Sequence, residues 1–471
     1  MSLGVQTIPR VNGPDLRQGA RRLLPDRLET VVLLILSMAI AYQLFVDPIV
    51  GLADNRDFAR LMDPAGLDYR SVTDYRETVF QFVETKFSFV NPSSHRYLTS
   101  QRLVLGAARI LNSVVAKDDK FDLRSLGMCN FALYIAAVGV FLRAFRVRRT
   151  AVRVIVATAV LFLGADVRWV GYFNSFYCES ASLVFLLSTL GFALLGIQRS
   201  RQGPAAWLLW FGYLASAFLF WMAKSQNTAF APCLAIGAFY TFPASRLPRR
   251  GYLRLLGAAA VPVGVAWAFL AGAYGGSLPT NAQVVWSEEI APHSTTLTDD
   301  VRELGIDRGG LSLTRVASFY AHHPVRWWRM AERQAKEAFD YPLLGNFPRG
   351  LGFAPKAQSQ AFNRWSEFKK ASFPRSLVLL VMAFLLYCTL AGMKARWLDE
   401  GSACRMRTLA GPLLALGCAL ELIVVVTFEA NGTAKHFFIF NVAVDLCLLM
   451  TIISLGEAAA QLWRRRHAPN P

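Results

Sequence analysis

Apolar runs free of charge, many of them close to twenty residues long, recur along almost the whole chain, which is the length a helix needs to fill the hydrocarbon layer of a bilayer. They fall at about 30–46, 126–142, 151–165, 178–197, 205–222, 228–242, 253–274, 376–393, 408–428 and 436–456. None shows the ten-residue alternation of a membrane barrel strand, and an open sheet edge cannot be satisfied in lipid. The pattern therefore predicts an all-α fold: a polytopic transmembrane bundle of about ten spans, forming one integral membrane domain over 1–471. Two long polar stretches, 47–125 and 275–375, interrupt the runs. Within the first, Tyr97 to Val115 is amphipathic, with Leu103, Ile110, Leu111 and Val114 set to rest on the membrane and Arg102 and Arg109 above them.

Composition agrees, since only 17% of the 471 residues are charged and 54% are apolar, too few charges for a disordered or water-soluble chain. The net charge of +18 raises the question of nucleic acid, and its placement answers it. Basic residues crowd every second connection: Arg10 to Arg27, Arg143 to Arg153, Arg199 and Arg201, Arg246 to Arg254, Lys394 to Arg407, and Arg464 to Arg466. Those segments hold only Asp15, Asp26, Glu29, Asp399 and Glu400 as counter-charges, and the remainder of the chain balances. The excess marks the cytoplasmic side and contacts membrane lipid, with both termini inside and both long stretches outside; no nucleic-acid partner is implied. The seven cysteines are scattered without paired spacing, so neither a disulfide framework nor a metal site follows from them.

Candidate chemistry collects outside. Asp54 and Asp57, just beyond the first run, can converge from one turn, one serving as general base while the other holds an acceptor hydroxyl or a metal; the competing reading is a helix cap, or pairing with Arg56 or Arg60. Arg168, beside Asp166 and Glu179 in a tight aromatic connection, either forms a structural pair or faces a phosphate. Lys224, Gln226 and Asn227 form another outer turn, where a lysine reaches headgroups or marks the phosphate of a lipid-linked substrate. Lys435 and His436 lie in the last connection, one and two turns before Asn441 and Asp445, which must face the bundle interior. His322 and His323 sit next to each other and do not share a helical face, so they are poor metal ligands. No cytoplasmic loop is long enough for a nucleotide and there is no Gly-rich phosphate loop, so a donor tethered to lipid fits best.

Asp54-Asn-Arg-Asp-Phe58, Tyr172-Phe-Asn-Ser-Phe-Tyr-Cys-Glu179, Ala223-Lys-Ser-Gln-Asn227, Asn281 to Ile306, His323-Pro-Val-Arg326 and Lys435-His-Phe-Phe-Ile-Phe-Asn441 follow one another in an order that spans nearly the whole chain. In that order they resemble the GT-C superfamily of polytopic membrane glycosyltransferases, specifically bacterial glycan-biosynthesis hexose-transferase-like proteins. The resemblance implies an enzyme of the bacterial inner membrane that takes sugar from a polyprenyl-phosphate donor and attaches it to a glycan or lipid acceptor. It implies an acidic base in the first outer loop, Asp54 or Asp57, beside which the residues themselves offer Arg168, Glu179, Lys224, Gln226, Asn227, Lys435 and His436 as candidate substrate contacts. No cofactor is required by it beyond, at most, a divalent cation. The family pattern has Gly where this chain has Arg56, which predicts a less tightly turned loop here. A transporter or flippase, with Glu421 and Asp445 as its midplane ionisable groups, and a noncatalytic assembly protein are the alternatives from other classes.

Overall fold

The computed structural model describes residues 26–94, 97–116, 118–146, 150–198, 204–241, 278–397, 402–429 and 433–467. Its long helices, in chain order, are α1 (Arg27–Phe45), α2 (Ser100–Val115), α3 (Leu123–Arg143), α4 (Thr150–Gly164), α5 (Glu179–Gln198), α6 (Pro204–Ala223) and α7 (Ala231–Thr241). They continue with α8 (Leu313–His322), α9 (Pro324–Ala335), α10 (Arg364–Ser372), α11 (Leu377–Trp397), α12 (Ser402–Phe428) and α13 (Phe438–His467). Each predicted run from 30–46 to 436–456 coincides with a helix, except 253–274, which lies outside the described residues.

Six of these helices are long and apolar enough to cross a membrane, or seven if the sharply bent pair α10 and α11 counts as one span. Among the described residues the count stays below ten: the described parts of α4 and α7 have 15 and 11 residues, each bordering residues that are not described, and the run 253–274 lies wholly outside them. The all-α expectation also needs a correction. Outside the apolar runs a three-stranded antiparallel sheet forms from β1 (Leu67–Asp68), β2 (Lys86–Phe89) and β3 (Lys120–Asp122), in a segment where exposed strand edges can be solvated.

The bundle is built by one-sided helices. On α1, Val32, Leu36, Ile40 and Leu44 recur every four residues and are buried, whereas Leu34, Met38 and Tyr42 on the other side are exposed, as a lipid-facing helix requires. α5 lies at the centre, packed along α6 and α3, while α12 packs between α11 and α13. On α2, Leu103, Ile110 and Val114 are exposed in one stripe, but Leu111, expected beside them, is half-buried; Arg102 and Arg109 reach back to the Pro64 and Ala65 carbonyls.

Helix ends leave unpaired carbonyls that neither lipid nor core can satisfy, and side chains of other segments complete them. Asn174 donates to Leu44 O (3.0 Å) and Val50 O (2.9 Å), Gln43 to Ala165 O (3.0 Å), Tyr134 to Gly164 O (3.1 Å) and Thr99 to Ala223 O (2.7 Å). At the opposite end of α1, Asp26 and Glu29 form a capping box, and Arg146 (3.3 Å) and Arg153 pair with Asp26. A buried ion pair holds the bent helix pair in place: Lys369 Nζ on α10 lies 2.8 Å from Asp445 Oδ2 on α13 and 3.1 Å from Asn441 Oδ1, with Trp365 Nε1 donating to Asp445 Oδ1 (2.9 Å).

The chain leaving α1 is tied down before it reaches Asp54. Gly51 N bonds to Asn346 O (3.0 Å), Ala53 N to Gly345 O (2.9 Å), and the Tyr177 hydroxyl donates to Ala53 O (2.8 Å) and accepts from Asn55 N (2.8 Å). Arg56 then adopts φ +80°, a left-handed conformation that favours glycine. The loop is therefore turned tightly despite the arginine, contrary to the sequence expectation, and the guanidinium lies over the Phe80 ring at 5.6 Å. The turn persists because Asp54 Oδ1 accepts from both Arg56 N (2.7 Å) and Phe58 N (3.1 Å), and Phe58 is buried against Phe176 and Tyr177.

Lys369→Met alone should lower stability by about 3–5 kcal/mol, because it strands the Asp445 charge, whereas the double change Lys369→Met with Asp445→Leu should recover most of that loss. Denaturant titration in detergent measures both. At Arg56, glycine should fold as well as arginine, whereas Arg56→Ile should cost about 1–2 kcal/mol, the penalty of a β-branched residue at positive φ. Melting temperatures that rank the two variants in the opposite order would refute the strained turn.

Candidate functional site

Four segments far apart in sequence bring their charges to one place: the turn after α1, the start of α5, the link after α6, and the connection between α12 and α13. At its centre Asp57 Oδ2 pairs with Lys435 Nζ, and Asp57 Oδ1 lies 3.3 Å from Arg60. Lys435 also sits over the Tyr177 ring at 5.0 Å. With the Asn55 amide oxygen turned toward Lys435 (3.1 Å), its nitrogen donates to Asp57 (3.1 Å) and Tyr177 (3.0 Å). Lys224 Nζ lies 2.8 Å from Glu179 Oε1 and 3.2 Å from His436 Nδ1. Glu429 Oε2 is 3.4 Å from His436 Nε2. Gln226 Nε2 donates to Glu421 Oε1 (2.7 Å) and to the His436 carbonyl (2.9 Å), and Asn227 Nδ2 to Ser182 Oγ and Phe220 O (2.8 Å each).

Of the residues singled out from sequence, Asp57, Glu179, Lys224, Gln226, Lys435 and His436 thus form one network. Asn227 is wholly buried and braces the Lys224 link from behind. Asp54 is close in sequence but differently used. Its carboxylate is 3% exposed, and Oδ2 accepts from the Tyr69 hydroxyl (3.0 Å) while Oδ1 holds the two backbone N–H groups of the turn. Arg168 is not part of the network. Its guanidinium pairs with Gln358 and Glu367 (3.4 Å), lies 4.5 Å over the Tyr341 ring, and lines a neighbouring cavity with Tyr172, Asp340, Lys369 and Asn441. Leu52 and Ala434, the residue before Lys435, also line that cavity.

The environment sets the two aspartates apart. Burial raises the pKa of Asp54, with the Asp57 charge adding to it, against the opposing pull of its hydrogen bonds. Burial also acts upward on Asp57, but Lys435, Arg60 and Lys224 outweigh it and hold its pKa below the usual carboxylate value. Burial works against the Lys224 ammonium too, yet Glu179, Glu429 and Glu421 keep its pKa above that of an ordinary lysine. His436, buried beside Lys224, Lys435 and Arg60, is held well below the histidine range and is neutral. A raised pKa by itself would favour Asp54 as a base; access favours Asp57, whose side chain is 25% exposed and stands among cations.

Asn55 and Tyr177, beside Lys435, were not singled out as site residues from sequence, and neither were two charged members of the network. Arg60 is three residues from Asp57 and entered only as a pairing partner, and Glu429 shares its short connection with Lys435 and His436. In each case the signal was proximity to a candidate already chosen. Among the described residues no three His, Cys, Asp or Glu side chains are grouped to hold a metal ion. His322 and His323 both face Glu303, at 3.7 and 2.9 Å.

Two solved structures from Archaeoglobus fulgidus are similar to this chain. One is the archaeal oligosaccharyltransferase AglB in complex with an inhibitory peptide and a dolichol-phosphate, with 11% identity and a TM-score of 0.41, covering 94% of this chain and 52% of that one. The other is the oligosaccharyltransferase in the apo form, with 13% identity and a TM-score of 0.39, again covering 94% and 52%. The chain spans about half the length of either. No curated protein matches it. The family model described as the YfdI N-terminal transmembrane domain matches residues 19–273 and 310–470. With most of its length so matched, this multi-pass membrane chain belongs to the YfdI N-terminal transmembrane domain family.

Proposed function

We propose that the protein is a GT-C-type glycosyltransferase of a bacterial inner membrane, moving a sugar from a polyprenyl-phosphate donor to a glycan or lipid acceptor of the cell envelope on the extracytoplasmic face. The observation that carries this reading is the meeting of an accessible carboxylate, Asp57, with Lys435, Arg60 and Lys224 where the outer helix ends converge. Both termini are cytoplasmic in this reading, following the basic connections.

In the transfer step the acceptor oxygen bonds to the anomeric carbon and its proton passes to Asp57. The bond from that carbon to the phosphate oxygen breaks, and the lipid phosphate leaves with the electron pair. The departing charge needs cations in a desolvated layer. Lys435, Lys224 and Arg60 supply them, at about 1.5–3 kcal/mol per charge-assisted bond. Glu179, His436 and Gln226 hold Lys224 and the Lys435 connection in register, and Asn227 supports them from behind. We assign charge neutralisation to these side chains rather than to a divalent cation, because Lys435 already engages Asp57 and Lys224 engages Glu179. Arg168 is assigned a structural role, since it pairs with Gln358 and Glu367 and lies over Tyr341 beside a cavity of about 20 Å³, too small for a sugar ring. Asp54 is the structural member of the pair, closing the turn that presents Asp57.

Asp57→Asn should lower transfer by about 10²–10⁴-fold per folded molecule, well beyond any loss of stability that comes from stranding Lys435. Asp54→Asn should instead cost about 1–3 kcal/mol of stability, with activity falling in step with the folded fraction. Incorporation of sugar into envelope glycan in cells lacking the native gene measures both, and full activity of Asp57→Asn would remove the enzyme reading. For orientation, Thr298→Cys should react with a membrane-impermeant maleimide added outside intact cells; labelling only after the cytoplasm is opened would invert the topology.

A further inference from the structure

The charges of the site are balanced. Asp57 pairs with both Arg60 and Lys435, Glu179 pairs with Lys224, and Glu429 contacts His436 within the field of the same three cations, so each cation is already engaged by a carboxylate before a phosphate arrives. A phosphate can enter only by taking the place of a carboxylate. The carboxylates differ in how readily they can leave: side-chain exposure is 3% for Glu179, 15% for Glu429 and 25% for Asp57. Asp57 also presents its two oxygens to two different cations, Oδ1 to Arg60 and Oδ2 to Lys435, as two oxygens of a phosphate would. Lys435 is the fixed partner, 6% exposed and packed over a Tyr177 ring whose hydroxyl is bonded to the Ala53 carbonyl.

Resting on the glycosyl-transfer reading, we infer that the donor phosphate displaces Asp57 from Lys435 and Arg60, so that donor binding is what frees the base. While paired with two cations Asp57 holds a proton poorly and is a weak base. Once phosphate occupies those cations, the carboxylate loses its stabilising partners and gains a negative neighbour, and both changes raise its affinity for the acceptor's proton. Lys435 and Arg60 thereby act as positioning residues for the base as well as ligands of the phosphate, and donor binding precedes acceptor activation. Before the donor arrives, Asp57 fills the phosphate position itself.

The test is binding of a probe that carries no sugar, farnesyl phosphate, to the full chain in nanodiscs by calorimetry. Asp57→Asn removes the competing carboxylate and should bind the probe roughly tenfold more tightly than the native protein, while Lys435→Gln should bind at least about tenfold more weakly and Arg60→Gln less severely so. If Asp57→Asn lowers the yield of folded protein, Asp57→Ser reports the same exchange. A folded Asp57→Asn protein that is inactive in transfer and binds farnesyl phosphate no more tightly overturns the exchange and leaves the base assignment standing. One that still transfers sugar overturns both.

Discussion

A charge carried to the end of an apolar helix must find an opposite charge or a donor there, because an unpaired ion at such a depth costs several kcal/mol. Much of this architecture follows from that constraint. Lys369 and Asp445 join α10 to α13, Lys224 and Glu179 join the link after α6 to the start of α5, and Lys435 and Asp57 join the last connection to the first outer segment. Each contact closes between elements distant in sequence, and the last spans 378 residues. The helices supply apolar surface that packs without direction; the paired charges decide which ends meet.

The same pairs give the site its chemistry. A cation whose carboxylate partner is replaceable can receive a phosphate, whereas one locked to a buried partner cannot. Lys369, about 1% exposed and bound to Asp445, belongs to the second kind, and Lys435 to the first. Glu421 and Asp445, the groups a transport mechanism would call on, are engaged by Gln226 and by Lys369 with Trp365.

The helical bundle was legible because hydropathy operates over about twenty residues and needs no knowledge of neighbours. So was the presence of paired charges between the apolar runs, since a Lys224 or an Asp57 there needs a partner. Their partners were not legible: pairing depends on which helix ends share a face, and no local pattern encodes that. Asp54 and Asp57 could not be ranked, because the difference lies in backbone N–H groups that only the folded turn aims at Asp54 Oδ1. Arg168 seemed to belong with the lysines since it shares their outer position, yet Glu367, nearly two hundred residues on, draws it into another cavity. The small sheet escaped notice because its strands are two to four residues long, too short for alternation to register.

Asn174 has a consequence for biogenesis. It completes the carbonyl of Leu44 at the end of α1, and its neighbour Phe173 accepts from Asn130 on α3. A chain made from its N-terminus completes α1 well before residue 174 has been synthesised, so the Leu44 carbonyl lacks this partner until the segment before α5 is made. Asp57 waits longer still, exposed to water until nearly the whole chain exists and Lys435 emerges. The reactive corner is thus among the last parts of the protein to close, and a prematurely terminated chain can insert most of its helices yet never assemble it.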